Sequence, residues 1–306
     1  MQDFNNIKII GIDHGYGNIK TASTVTPTGV IVSDTEPTFD GNILFYNDKY
    51  YRFGEGHKSF ISDKTEDEDF YAATLMSIAR ELSRENITEA NVHIAAGLPL
   101  TWVSAQKENF RNYLLRNENV VFVYNKQTYV IHITSCSIHP QGYAAVVDRL
   151  REMSGVNMVA DIGNGTINIM YITDRKPVES KCYTEKMGVN QCMINAQNAV
   201  MNSFGATIDS SIIERLFRYG KADISERYRD CIVSEIKKYT ENVLEVLEKY
   251  EYNSDLMKLY ITGGGANIMR NFADMDKSGV AFVDDICAAA KGYEIIAAQV
   301  FRRRAS

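Results

Sequence analysis

Over roughly the first seventy residues, apolar positions come in short runs broken by Gly, Pro, Asn and Asp, which predicts strands at 8–12, 19–25 and 30–33. An aromatic-rich hairpin follows at 43–46 and 49–53, turning on Asn47-Asp48. The period then changes. Tyr71, Leu75, Ile78 and Leu82 recur at helical spacing, and the acidic run 65–69 before them reads as the helix's first turn, where carboxylates offset the dipole. Residues 92–96 form a short buried strand stopped by Gly97-Leu98-Pro99, and Trp102 just beyond is expected in core packing. A helix at 103–116, strands at 120–124 and 129–134 around Asn125-Lys126, and a helix at 141–153 complete the first half.

The pattern then restarts. A strand at 157–160 leads into a Gly-rich turn, and strands at 166–172 and 178–183 follow. Helical spacing governs 188–204, 209–219 and 225–250. A strand at 256–262 runs into Gly263-Gly264-Gly265, a last strand occupies 280–283, and Asp284 is placed to cap a final helix reaching about 303. A second core therefore begins near residue 155, with no disordered linker before it.

Composition narrows the reading without changing it. A chain of 306 residues holds about two domains, and 45% hydrophobic with 24% charged residues describes an ordinary globular protein. No apolar run nears the ~18 residues of a membrane span, and the opening residues lack a signal-peptide layout, so a cytoplasmic protein is expected, with no membrane partner. Cys136, Cys182, Cys192, Cys231 and Cys287 form no CxxC pair and read as reduced thiols; the five histidines lack HExxH-type spacing. The net charge of −6 argues against direct nucleic-acid binding. Arg302-Arg303-Arg304 suits the end of a helix, where cations meet the dipole's negative pole.

Self-similarity supplies the chemistry. Asp13-His14-Gly15-Tyr16-Gly17-Asn18-Ile19-Lys20 can be laid on Asp161-Ile162-Gly163-Asn164-Gly165-Thr166-Ile167-Asn168, each behind an apolar strand and each opening about half the chain. One such segment would be a plain turn. Two in register suggest related domains meeting across a cleft. Glycines let backbone N–H groups approach an anion closely, and an Asp at the strand end can hold hydrated Mg²⁺, which takes one or two carboxylates plus phosphate oxygens. Asp13 and Asp161 are thus the candidate metal ligands, and Lys20 a point charge for β- and γ-phosphates. Gly263-Gly264-Gly265-Ala266, between strand and helix, offers bare backbone for an α-phosphate, a ribose or the face of a base.

These three loops, in this order, resemble the nucleotide cradle of the actin, hexokinase and heat-shock-chaperone ATPase superfamily over essentially the whole chain. Gly15, Tyr16, Gly17, Asn18 and Lys20 match the first phosphate loop, Gly163, Asn164, Gly165 and Thr166 the second, and Gly263, Gly264, Gly265 and Ala266 the adenosine loop. Thr166 either reaches phosphate with its hydroxyl or begins a strand. Length and wording are similar to bacterial ParM-like actins, which segregate plasmids as ATP-driven filaments. The resemblance implies an α/β actin-like fold of two duplicated RNase-H-like domains around a nucleotide cleft. Their expected bounds are 1–152, completed by a C-terminal helix 284–306, and 153–283. It also implies ATP or GTP with Mg²⁺ as cofactors, the chain itself as filament partner, and a DNA-binding adaptor.

Hydrolysing members of that superfamily place Gln or Glu at the start of the helix before the second phosphate loop, which here points to Gln141 after Pro140, with His139 as rival. A Gln amide orients water rather than taking its proton. Asp13, Gln141 and Asp161 are therefore the expected catalytic set. Lys237, on the long helix, falls where actin-like proteins hold the ribose and base, or belongs with Lys238 to a solvated face. Two other functions compete. A small-molecule kinase needs a further carboxylate loop, for which Asp40-Gly41-Asn42 is the nearest segment and reads as a turn; a cell-shape actin of the MreB type needs an N-terminal amphipathic helix, which the sequence does not show.

Overall fold

The computed structural model describes residues 1–39, 41–55 and 64–305. The chain divides into two compact units, one of Met1–Asp148 with Cys287–Ser306 and one of Arg149–Ile286. The first begins with β1 (Gln2–Phe4), β2 (Ile7–His14), β3 (Asn18–Lys20), β4 (Val25–Pro27), β5 (Val30–Ser33), β6 (Asn42–Tyr46) and β7 (Lys49–Phe53). It continues with α1 (Glu68–Ser83), β8 (Glu89–Leu98), α2 (Val103–Leu114), β9 (Asn119–Tyr124) and β10 (Gln127–Pro140). One sheet carries these strands in the order β4-β3-β2-β8-β10-β9-β6-β7-β5, with β1 beside β2. β2, β8 and β10 run parallel at its centre, whereas β2, β3 and β4 are antiparallel.

The second unit holds β11 (Val156–Ile162), β12 (Ile167–Thr173), β13 (Lys176–Glu185), α3 (Val189–Phe204), α4 (Ser210–Tyr219), α5 (Glu226–Lys249), β14 (Lys258–Thr262), α6 (Ala266–Phe272) and β15 (Val280–Phe282). Its sheet order is β13-β12-β11-β14-β15, antiparallel through β11 and parallel beyond it. This repeats β4-β3-β2-β8-β10 of the first unit strand for strand. Met158, Ala160 and Ile162 alternate along β11 into a core closed by Cys192, Ala196 and Val200 of α3 and Ile232, Ile236 and Val243 of α5.

The last helix, α7 (Ala288–Ala305), belongs to the first unit. It explains why β2 is buried continuously from Ile9 to His14. Ile10 and Ile12 face the α1 side, with Phe70, Leu75 and Ile78, while Ile9 faces Tyr293 and Ala297 of α7. Gly11 lets the helix seat: a Cβ there would overlap the Ala290 carbonyl oxygen. The Glu294 carboxylate then accepts from the Gly11 N–H at 3.0 Å.

Five expectations change. The strand expected at 19–25 is split into β3 and β4, which pair antiparallel across a turn closed by the Thr21 N–H on the Thr24 carbonyl. The helix expected at 141–153 is a 3-10 helix over Ala144–Glu152, because Gly142 takes φ +75° and keeps Gln141 in a turn. The strand expected at 129–134 continues to Pro140 past a bulge between Ile133 and Ser135; its second half alternates Ser135, Ser137 and His139 with Cys136 and Ile138, polar enough to hide the strand. Asp284 pairs with Arg270 instead of capping α7, which starts at Ala288. Trp102 is only half-buried, at the entry to α2. The acidic run is structural: Asp67 caps α1 by accepting from the Asp69 N–H, and Glu68 pairs with Arg116. Among the described residues no helix is long and apolar enough to cross a membrane and no disulfide forms; Asp40 lies outside the described residues.

Candidate functional site

In the first unit the β2–β3 hairpin sets Asp13 opposite Lys20 in register, so Lys20 Nζ reaches Asp13 Oδ2 at 2.9 Å. Gln141, fixed at the end of β8 by its N–H to the Leu98 carbonyl, donates Nε2 to Asp13 Oδ1 at 3.1 Å. Burial opposes the charge on Asp13. Lys20, by charge and hydrogen bond, and then Lys64 outweigh it and hold the carboxyl below its ordinary range. An ionised carboxylate only accepts, so the Gln141 amide must face it with NH₂ and present its oxygen elsewhere. His139 goes the other way, bonded to Ser137 Oγ and stacked on Tyr293 of α7. Of the two rivals, Gln141 is the one on Asp13.

The turn between Asp13 and Lys20 is tied by its carbonyls. That of Asp13 accepts from the Gly15 N–H, that of His14 from Lys64 Nζ at 2.5 Å, that of Tyr16 from Thr28 Oγ1 at 2.5 Å, and that of Gly17 from the Thr28 N–H at 3.1 Å. The buried Tyr16 ring packs edge-on to Phe70. Asn18 opens β3. The His14 ring is buried with Nε2 on Thr74 Oγ1; burial and then the Lys64 charge push its pKa down to about 3.

The second unit repeats the scheme. Asp161, on β11, lies in register with Asn168 of β12 and Thr262 of β14. Gly163 donates to the Thr166 carbonyl at 2.9 Å, and the carbonyls of Gly163 and Asn164 each accept at 3.0 Å from the N–H groups of Val189 and Asn190, at the start of α3. These bonds use the turn's carbonyls and leave the N–H groups of Asn164 and Gly165 out. Thr166 is buried and precedes β12. The glycine cluster folds over the end of β11: Gly263, at φ +83°, approaches so closely that a Cβ would lie 2.5 Å from the Ile162 carbonyl oxygen and 2.7 Å from Asp161 Oδ1. Gly265 donates to the Ile162 carbonyl, Gly264 lies between, and Ala266 starts α6.

Asp13, the first turn, Lys20 and Gln141 thus come together in one unit, and Asp161, the second turn and the glycine cluster in the other. Lys237 does not join them: it stands exposed on α5, and among the described residues no bond links it to these loops. Two contributors escaped the sequence reading. Lys64 lies 50 residues from the carbonyl it holds, and Gly188, the N-cap of α3, is in tight contact with Asn164; neither has a local motif. Among the described residues no three His, Cys, Asp or Glu side chains converge. Each carboxylate taken by itself, Asp13 in the first unit and Asp161 in the second, offers the hard oxygen donors that a hydrated Mg²⁺ accepts.

Residues 11–143 match the family of actin-like protein N-terminal domains. No curated protein matches the sequence. Among solved structures, the archaeal actin homolog Ta0583 in complex with ADP is 16% identical, with 95% of this chain and 99% of that chain covered at a TM-score of 0.72. A Bacillus thuringiensis ParM with ATP is 15% identical, with 97% and 100% covered at 0.68. The Alp12 filament structure is 15% identical, with 97% and 100% covered at 0.66. The chain therefore has the actin-like fold of the ParM and archaeal actin structures, and its residues 11–143 are similar to the N-terminal domains of actin-like proteins.

Proposed function

We propose that this chain binds and hydrolyses ATP with Mg²⁺ and assembles with itself into filaments, in a plasmid-segregation role. The observation that carries the reading is the paired turn geometry: in each unit an Asp is the last residue but one of a strand, and the carbonyls of the turn behind it are tied back into the fold. Solved structures of the same fold contain ADP or ATP, and one is a filament.

Bound Mg²⁺ would neutralise charge developing on the phosphates. The two turns bind phosphate oxygens, with Lys20 moving from Asp13 toward the phosphates when they arrive. Asp13 and Asp161 are the carboxylates that would hold the metal. Gly263–Ala266 backbone borders the nucleoside. Gln141, its NH₂ fixed on Asp13, turns its amide oxygen to a water and aims it at the γ-phosphorus; catalysis is positioning rather than proton abstraction. In a cell the filament would work in the cytoplasm and reach DNA through an adaptor protein, since the chain is acidic overall.

Phosphate release from Mg-ATP without any acceptor, recorded with light scattering, tests this reading. Release together with rising scattering is expected. Release only on addition of a sugar or acid acceptor would make the chain a kinase instead.

A further inference from the structure

The two turns are tied back by different donors. In the second unit the first N–H groups of α3, a helix of 16 residues, hold the loop, so the positive pole of a helix dipole stands behind it. The first turn is held by Thr28 and by the ammonium of Lys64, which sits in the 3-10 turn Lys64–Glu66 just before α1. Lys64 is 1% exposed. Its ammonium lies 5.3 Å from the Tyr16 ring centroid and 5.8 Å from that of Phe70, boxed between the loop and the aromatic core. Burying an ammonium is expensive, and burial draws its pKa down to about 8, with the Asp13 charge acting against that fall and the Lys20 charge with it. A neutral side chain of equal size would fill the space without that penalty.

We propose that Lys64 is a positioning residue of the first phosphate loop: it holds the His14 carbonyl away from the ligand side and places a buried positive charge behind the turn for a polyphosphate. It supplies with one side chain what the start of α3 supplies to the second turn. The inference rests on the nucleotide reading of the site and adds a specificity to it. A fixed charge behind the loop acts most on the phosphate groups seated at that loop, so it favours triphosphate over diphosphate and diphosphate over monophosphate.

Lys64→Met keeps the length of the side chain and removes its charge; Thr28→Val removes the neutral tie to the Tyr16 carbonyl. Dissociation constants for ATP, ADP and AMP with Mg²⁺ are measured on both full-length variants and the wild type, after circular dichroism shows them folded. Lys64→Met is expected to lose ATP affinity tenfold or more, ADP affinity less and AMP affinity least, while Thr28→Val loses all three by a similar factor. An equal loss for all three in Lys64→Met would reduce Lys64 to a packing residue and overturn the proposal. Should that variant not fold, side-chain ¹⁵N spectra of the wild type decide: a Lys64 Nζ resonance that moves more with ATP than with ADP supports it, and one that neither moves overturns it. A wild type that binds no nucleotide would instead remove the reading on which the proposal stands.

Discussion

Asp13 accepts from Lys20 on one oxygen and from Gln141 on the other, so its carboxylate fixes both the cation and the amide of the first unit. Removing Gln141 should therefore act on turnover and spare affinity: Gln141→Ala is expected to bind ATP as wild type does and to lose about 10²-fold or more in kcat, as single-turnover phosphate release would show. Asp161→Ala should lack hydrolysis altogether, and normal turnover in it would withdraw Asp161 from the metal. Three histidines give a separate, pH-dependent consequence. Burial, followed by nearby positive charges, pushes His14 to about 3 and His93 and His139 to about 4, from an ordinary 6.5. The folded state keeps them neutral, so below pH ~6.5 the unfolded chain takes up protons that the folded chain refuses. Their contribution is intact above that pH and is lost as pH falls toward 4, by up to about 1.4 kcal/mol per pH unit for each. Urea midpoints measured from pH 7 to 4 should fall less steeply in His93→Gln/His139→Gln than in wild type. At this scale the sequence showed what is local. The two Asp-x-Gly-x-Gly segments carry their own geometry, whereas the Lys64–His14 tie and the Ser135–His93–Ser137–His139 chain join distant strands and loops through space.

Among the elements, α7 packs on β2, the strand that carries Asp13 and leads into the first turn, so this contact helps to fix that turn. Gly11→Ala drives a methyl into the Ala290 carbonyl, so backbone of β2 or α7 must shift. Overpacking of that kind costs about 2–3 kcal/mol, a fall of roughly 5–10 °C in the melting transition. Gly41→Ala, where nothing lies within 4 Å of the added Cβ, is the control and should melt as wild type does. Periodicity located nearly every helix and strand, since amphipathic faces leave a strong signal. It failed where polar residues occupy a central strand, as in the second half of β10, and where one glycine dihedral turned an apparent helix into a turn and a 3-10 segment at Gln141–Glu152.

On the scale of the whole molecule, the strand order β4-β3-β2-β8-β10 recurs as β13-β12-β11-β14-β15, so two Gly-rich turns of one design occupy equivalent hairpins of two units. The internal repeat of the sequence announced this duplication; β5–β7 and β9 extend the first sheet beyond it. Self-assembly leaves no such short motif, because filament contacts are spread over surface patches, and it enters only as the proposed use of the fold. If assembly strengthens the alignment of Gln141 with the γ-phosphate, hydrolysis must depend on how many molecules are assembled. The most direct test is the rate of phosphate release per molecule, measured against protein concentration at saturating Mg-ATP with light scattering recorded in the same cuvette. A low rate that climbs above the concentration at which scattering appears is the predicted result. A rate per molecule that stays constant from dilute to concentrated protein, with no scattering, would contradict ATP hydrolysis coupled to filament assembly.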